Sequence, residues 1–160
     1  MKGIRCADRA DIFTLTELRM AFLQEEFGET EEEKISKIRR ELPAYFERNL
    51  NQTIFCYLAE ENGEAVACAF LLVTEKPMNP MFLSGKTGTV MNVYTKPPYR
   101  RRGYAKRLVQ RLLLDAEENQ LSVVELKATA AGVHLYESMG FTDDVSPYRL
   151  MKWRNQKTDL

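Results

Sequence analysis

Apolar positions change their spacing several times along the chain, and each change marks an element. Residues 2–6 read as a short first strand. Asp8 followed by Asp11 has the spacing of a helix start, and Ile12, Leu15, Leu18 and Phe22 then recur at helical intervals. Thr30 and Glu33 have capping-box spacing, and the carboxylates of Glu31, Glu32 and Glu33 suit the positive end of a helix dipole. Ile35, Ile38, Leu42, Tyr45 and Phe46 extend that second helix, in which Pro43 is expected to make a kink or a break. From Ile54 to Phe70 two β runs flank Asn62-Gly63, a strong two-residue hairpin signal.

Residues 75–86 carry two prolines and read as a loop, and residues 87–96 read as the next strand. A turn at Pro97-Pro98 leads to a helix from about Gly103 to Asn119. Its Ala105, Leu108, Val109, Leu112, Leu113 and Ala116 form one apolar face. A β run at 122–128, a short helix at 132–139 closed by Gly140 and a last strand at 148–153 complete the series. The order predicts an α/β fold with a mixed sheet, built as a single domain over residues 1–160.

Composition narrows the class. The 160 residues are 44% hydrophobic and 29% charged, as expected of a globular chain rather than a disordered one. No apolar run approaches the roughly 18–20 residues that span a bilayer, so no membrane association is expected. The first residues lack the apolar core of a secretory signal, so the mature chain is expected to begin at Met1 and to be cytoplasmic, as a monomer or homodimer. With 23 basic and 23 acidic side chains the net charge is zero, which argues against general nucleic-acid binding.

The cysteines at 6, 56 and 68 have no metal-ligand or dithiol spacing, so no metal site is expected. If Asn62 and Gly63 form the hairpin loop, paired positions sum to 125, setting Cys56 opposite Ala69 and Cys68 opposite Tyr57. The two thiols then point to opposite faces of the sheet and act as small buried apolar groups.

The stretch Val93-Tyr-Thr-Lys-Pro-Pro-Tyr99-Arg100-Arg101-Arg102-Gly103-Tyr104-Ala105-Lys106-Arg107 carries the chemistry. A strand enters a tight turn, and the turn enters a helix with basic residues around its start. Free N–H groups at a helix start favour an anion, and small residues at 103 and 105 leave its backbone accessible. A phosphate or pyrophosphate site is one reading. A solvated basic helix face is another, and phosphate contacts to nucleic acid are a third.

This turn resembles that of the GNAT superfamily of acetyl-CoA-dependent N-acetyltransferases, Gln/Arg-x-x-Gly-x-Gly/Ala, at Arg100, Gly103 and Ala105. The wider pattern is met at Pro97, Tyr99, Arg100 and Gly103, and it departs at Thr95, in place of Val, and at Arg101, in place of a first Gly. About 30 residues later, 126–141 resemble the family's last motif, ending Leu135-Tyr136-Glu137-x-x-Gly140-Phe141.

The resemblance implies a mixed, mostly antiparallel sheet flanked by helices. Its fourth strand is bulged and splays from the fifth, leaving a cleft for the pantetheine arm of acetyl-CoA. It implies that the backbone of Val93, Tyr94 and Thr95 holds that arm, with the Val93 N–H polarising the thioester carbonyl. N–H groups of residues 101–106 would hold the pyrophosphate, so Arg101, Arg102, Gly103, Tyr104, Ala105 and Lys106 are cofactor-binding positions, with charge added by Arg100. Tyr136 falls at the general-acid position that protonates the departing thiolate, although an aromatic there also anchors the short helix.

Thr129 stands where the family often has a pantetheine-binding Asn; it either takes that role or caps the helix. No acid lies in residues 87–96, where many relatives carry a base. Glu125 is a candidate that also suits a solvent-facing position, Asn92 and Tyr94 can orient an amine or a water, and His134 lies about 200° from Tyr136 around the helix. The base is unassigned. The acceptor is expected to be a small-molecule or peptide amine, attacked directly in a ternary complex; a CoA-binding module without catalysis is the alternative. Glu25, Glu26, Glu29, Glu31, Glu32 and Glu33 form either an acidic rim for a cationic amine or an ordinary solvated helix start.

Overall fold

The structure, a computed structural model of the chain, describes residues 3–157, so position 2 of the expected first strand lies outside the described residues. The chain divides into two compact units, Met1–Lys127 and Ala128–Leu160.

The first unit contains β1 (Ile4–Cys6), a 3-10 turn (Arg9–Asp11), α1 (Ile12–Phe27), α2 (Glu32–Asn49), β2 (Ile54–Glu61), β3 (Glu64–Glu75) and β4 (Lys86–Thr95). A second 3-10 turn (Pro97–Tyr99), α3 (Tyr104–Glu118) and β5 (Val123–Glu125) follow. The five strands lie in sequence order, antiparallel except for the parallel pair β4–β5. A parallel pair needs a long crossover, and α3 supplies it. The buried Leu108, Val109, Leu112 and Ala116 follow the predicted stripe of that helix. One core gathers Leu15 and Leu18 of α1, Phe46 of α2, Cys56 and Leu58 of β2, and Cys68 and Phe70 of β3.

The Asp8–Asp11 spacing forms a capping box on the 3-10 turn that leads into α1, whose own N-cap, Asp11, makes no side-chain cap bond. Asp8 accepts from the Ala10 N–H at 2.8 Å, and Asp11 accepts in return from the Asp8 N–H at 2.8 Å. Arg5 grips Asp11 with both Nη atoms, at 2.7 and 2.8 Å, and this pairing lowers the Asp11 pKa. Thr30 does not cap α2. Glu31 takes the N-cap position with no side-chain bond, because the helix begins one residue later than the Thr30–Glu33 spacing requires. Pro43 does not divide α2 either, which runs unbroken to Asn49. Phe46 is buried, and Leu42 and Tyr45 pack against the same core, so side-chain burial on both sides of Pro43 offsets the lost backbone bond.

The hairpin turns at Asn62-Gly63, both with positive φ (53° and 78°). A bulge between Ala59 and Glu60 then shifts the register by one residue. Cys56 faces Phe70 and Cys68 faces Leu58, instead of the predicted Ala69 and Tyr57. The shift corrects the sequence reading: both thiols lie on the α1–α2 face. As diagonal neighbours about 7–8 Å apart in the ladder they are still beyond disulfide reach, and both are free.

The second unit holds α4 (Val133–Glu137), shorter than the expected 132–139. Gly140, at φ 92°, ends it in a Schellman motif. Its N–H donates to Glu137 O at 3.0 Å and the Phe141 N–H donates to Tyr136 O at 3.1 Å. The Tyr136 and Phe141 rings meet edge-on at 5.8 Å, the apolar contact that accompanies this cap. The expected strand at 148–153 does not form. The described residues of this unit contain no strand to pair with it, and Tyr148, Leu150, Met151 and Trp153 are 82–86% exposed. The β run at 122–128 likewise shrinks to Val123–Glu125.

Candidate active site

In the first unit the site positions cluster where β4 leaves the sheet. β5 pairs with β4 only at Thr87, Gly88 and Thr89, so Val90–Thr95 have no β5 partner. This is the splay expected between the fourth and fifth strands. On the other side, Phe70 pairs with Met91 and Cys68 with Tyr94, so Asn92 and Val93 together oppose Ala69 alone. That is a β-bulge, and Asn92 makes it by adopting φ 53°.

Asn92 is 2% exposed, and both the nitrogen and the oxygen of its amide are hydrogen-bonded. Its Nδ2 donates to Cys68 Sγ at 3.3 Å, and its Oδ1 accepts from Arg19 Nη1 at 3.1 Å. Burial pushes the Cys68 thiol up to about 12, so it stays a neutral partner.

Beyond Thr95 the chain makes the Pro97–Tyr99 turn and reaches α3 through Gly103, its N-cap, at φ 79°. Arg101, which stands where the resembled pattern has Gly, also adopts positive φ, 64°. Among the described residues, the N–H groups of 101–106 have no backbone acceptor; the first bond into this region is Arg107 N–H to Gly103 O at 3.1 Å. A Cβ at Gly103 would meet no atom within 4 Å, so open space lies beside these donors. Six free N–H groups at the positive end of a 15-residue helix suit the oxygens of a phosphate.

Two of the basic side chains around the turn, Arg100 and Arg102, are committed to acids. Arg100 donates from Nε to Thr95 O at 2.9 Å, pairs with Glu25 of α1 and lies 5.7 Å from the Tyr94 ring. Arg102 is 3.5 Å from Glu61 and 5.3 Å from the Tyr99 ring, and the Tyr104 hydroxyl donates to the same Glu61. Arg101 and Lys106 are exposed, and Val93, Thr95, Tyr104 and Ala105 are half-buried. Glu25 of the acidic stretch and Arg100 of the basic turn are therefore paired with each other.

In the second unit, Thr129 and Tyr136 are neighbours across Gly132. A Cβ added there would lie 3.3 Å from the Tyr136 ring and 3.4 Å from the Thr129 hydroxyl. Thr129 contributes its carbonyl to the helix start, accepting from Gly132 and Val133 N–H at 2.9 and 3.2 Å, and no side-chain cap forms. Burial alone raises the Tyr136 pKa, which keeps the hydroxyl protonated at neutral pH. His134 is exposed and its Nδ1 lies 3.3 Å from Glu137. Glu125 is exposed.

Sequence spacing missed Arg19. It follows Leu15 by four residues and precedes Phe22 by three, so it interrupts the apolar face of α1. A charge placed on a core-facing stripe was the available signal.

The site is thus a mixed sheet opened beside a bulged strand, with a helix start at the end of that strand. The chain belongs to the acetyltransferase (GNAT) family, whose family model matches residues 14–141. A predicted acetyltransferase from Clostridium acetobutylicum, solved with acetyl-CoA, is 30% identical with a TM-score of 0.79, over 92% of this chain and 94% of that one. A GCN5-related N-acetyltransferase from Ralstonia eutropha JMP134 shares the fold at 23% identity, with a TM-score of 0.75, over 92% and 97%. A ribosomal-protein-alanine N-acetyltransferase from Brucella melitensis biovar Abortus 2308 shares it at 20% identity, with a TM-score of 0.67, over 93% and 99%. No curated protein matches the chain in sequence. No helix among the described residues is long and apolar enough to cross a membrane.

Proposed function

We propose that residues 1–160 form one N-acetyltransferase domain that moves the acetyl group of acetyl-CoA to a primary amine by direct attack in a ternary complex. One observation carries the reading: the unpaired edge Val90–Thr95 runs past a bulge straight into six free N–H groups at the start of α3. An extended pantetheine arm adds along such an edge as a strand would, and the pyrophosphate takes the N–H groups of 101–106. Acetyl-CoA supplies the activated acetyl group; the chain's residues orient it.

Val93, in the bulge, has no partner in either strand register, and its N–H is the donor assigned to the carbonyl oxygen of the thioester. As the amine nitrogen bonds to the carbonyl carbon, negative charge develops on the carbonyl oxygen, and that N–H donates a hydrogen bond to it. The carbon–sulfur bond then breaks, Tyr136 gives its proton to the leaving sulfur, the nitrogen releases its extra proton to water, and the Tyr136 phenolate regains a proton from water. Thr129, next to Tyr136, is the candidate partner for the arm's amides. Cys56 and Cys68 are buried in the core, and Cys6, although exposed, lies on β1, which agrees with a route that needs no acetylated cysteine.

The test is calorimetric binding of acetyl-CoA together with released CoA thiol across a panel of amines. Acetyl-CoA binding and thiol release with some amines are expected, and binding without turnover on any amine indicates a CoA-binding module instead. Gly103→Glu places a carboxylate among the six donors and is expected to abolish acetyl-CoA binding; retained binding overturns the phosphate assignment.

A further inference from the structure

Arg19 lies half-buried on α1 against the bulge of β4. Its one hydrogen bond goes to a neutral amide, Asn92 Oδ1 at 3.1 Å, and its guanidinium carbon lies 5.6 Å from the Phe22 ring. Among the described residues no carboxylate forms an ion pair with it, whereas Arg5 and Arg111, half-buried like it, are each paired with an acid; the titratable groups beside Arg19, Tyr45 and Cys68, are a hydroxyl and a thiol that burial keeps neutral. A desolvated guanidinium without a counter-ion is costly, and burial lowers its pKa with no carboxylate beside it to offset the effect. The planar fork has five donors, so one bond to Asn92 leaves donors that match an oxyanion. Asn92 is the residue before Val93, the donor assigned above to the thioester oxygen.

We propose that Arg19 anchors an oxyanion on the acceptor, so that the acetylated amine belongs to a molecule that also carries a carboxylate or a phosphate monoester. This rests on the acetyl-transfer reading and adds the class of acceptor to it. The pair Arg19–Asn92 then fixes the acceptor by its anionic end at the bulge, where its amine meets the acetyl group. Of the six acids of the rim considered for a cationic amine, Glu25 is paired with Arg100 and Glu31 with Lys34.

The test uses matched pairs of acceptors: glycine against glycinamide, and O-phosphoethanolamine against ethanolamine. Thiol release gives kcat/KM for each member. N-acetylglycine against its amide, titrated calorimetrically at saturating CoA, gives a readout independent of turnover. The wild type is expected to favour the anionic member of at least one pair by about 10- to 100-fold, the size expected of a hydrogen-bonded charge pair. Which pair shows it distinguishes carboxylate from phosphate. Arg19→Gln is expected to reduce the preference to near unity, mainly through KM, while Arg19→Lys keeps part of it. A loss of kcat that is equal for anionic and neutral members marks a purely structural role and overturns the proposal. So does a wild type that prefers neither member in binding or turnover, and this needs no variant. If acetyl-CoA binds normally in those cases, the acetyltransferase reading survives; if it does not bind the wild type, both readings fall.

Discussion

Arg101 illustrates how one residue can carry both a departure from a pattern and its cost. Its φ of 64° is a conformation that glycine adopts freely, and a side chain there costs about 1–2 kcal/mol. Arg101→Gly is expected to stabilise the protein by about 0.5–1 kcal/mol after the entropy of the new glycine is counted, measured as a rise in urea midpoint. Because backbone N–H groups are the proposed phosphate donors, acetyl-CoA affinity should change little; a large loss would assign the binding to the side chain. Tyr136 makes the complementary case, since its role lives in its hydroxyl. Tyr136→Phe is expected to lower kcat about 100-fold with acetyl-CoA binding unchanged. Burial raises its pKa above the ordinary value near 10, so the acid stays protonated and kcat should show no alkaline fall from this group below about pH 10.

At the scale of elements, the helices were legible and the strand registers were not. The stripe Leu108, Val109, Leu112 and Ala116, the Asp8–Asp11 cap and the Gly140 stop depend on residues a few positions apart, and all three formed. The bulges at Ala59/Glu60 and Asn92/Val93 depend on which strand lies alongside, and no local spacing encodes them. One bulge moved Cys68 to the other face of the sheet, and the other opened the candidate site. Pro43 shows the limit of local rules in the opposite direction, because burial of Phe46 holds α2 together across a residue that disfavours it. Replacing it restores a backbone donor, so Pro43→Ala is expected to stabilise the protein by about 1–3 kcal/mol in urea melts. No gain would mean that the packing of the proline ring offsets the lost backbone bond.

Across the molecule, the buried thiols and Tyr57 link stability to pH. Burial raises Cys68 to about 12 and Cys56 and Tyr57 further, whereas an unfolded thiol titrates near ~8.5. Above that pH the unfolded chain gives up protons that the folded chain keeps, so stability is full below about pH 8.5 and falls as pH rises toward the folded values. Each thiol contributes a slope of about 1.4 kcal/mol per pH unit. Urea melts between pH 7 and 10 should show the decline, and Cys68→Ala should remove roughly half of the part due to thiols; an unchanged slope would count against it.

The sequence by itself determined the element order through β5 and α4, the hairpin turn, the family, and the positions at which a cofactor turn and a proton donor are expected. These follow from periodicity, turn chemistry and short motifs, which are all local. Only the tertiary structure decided the strand registers, the absence of a strand at 148–153, the pairing of Arg100 with Glu25 and the isolation of Arg19. Each of these depends on groups brought together from distant points in the chain, Arg100 and Glu25 being 75 residues apart. A charge count along the sequence cannot tell a paired arginine from a lone one, because the distinction is made by what folding places beside it.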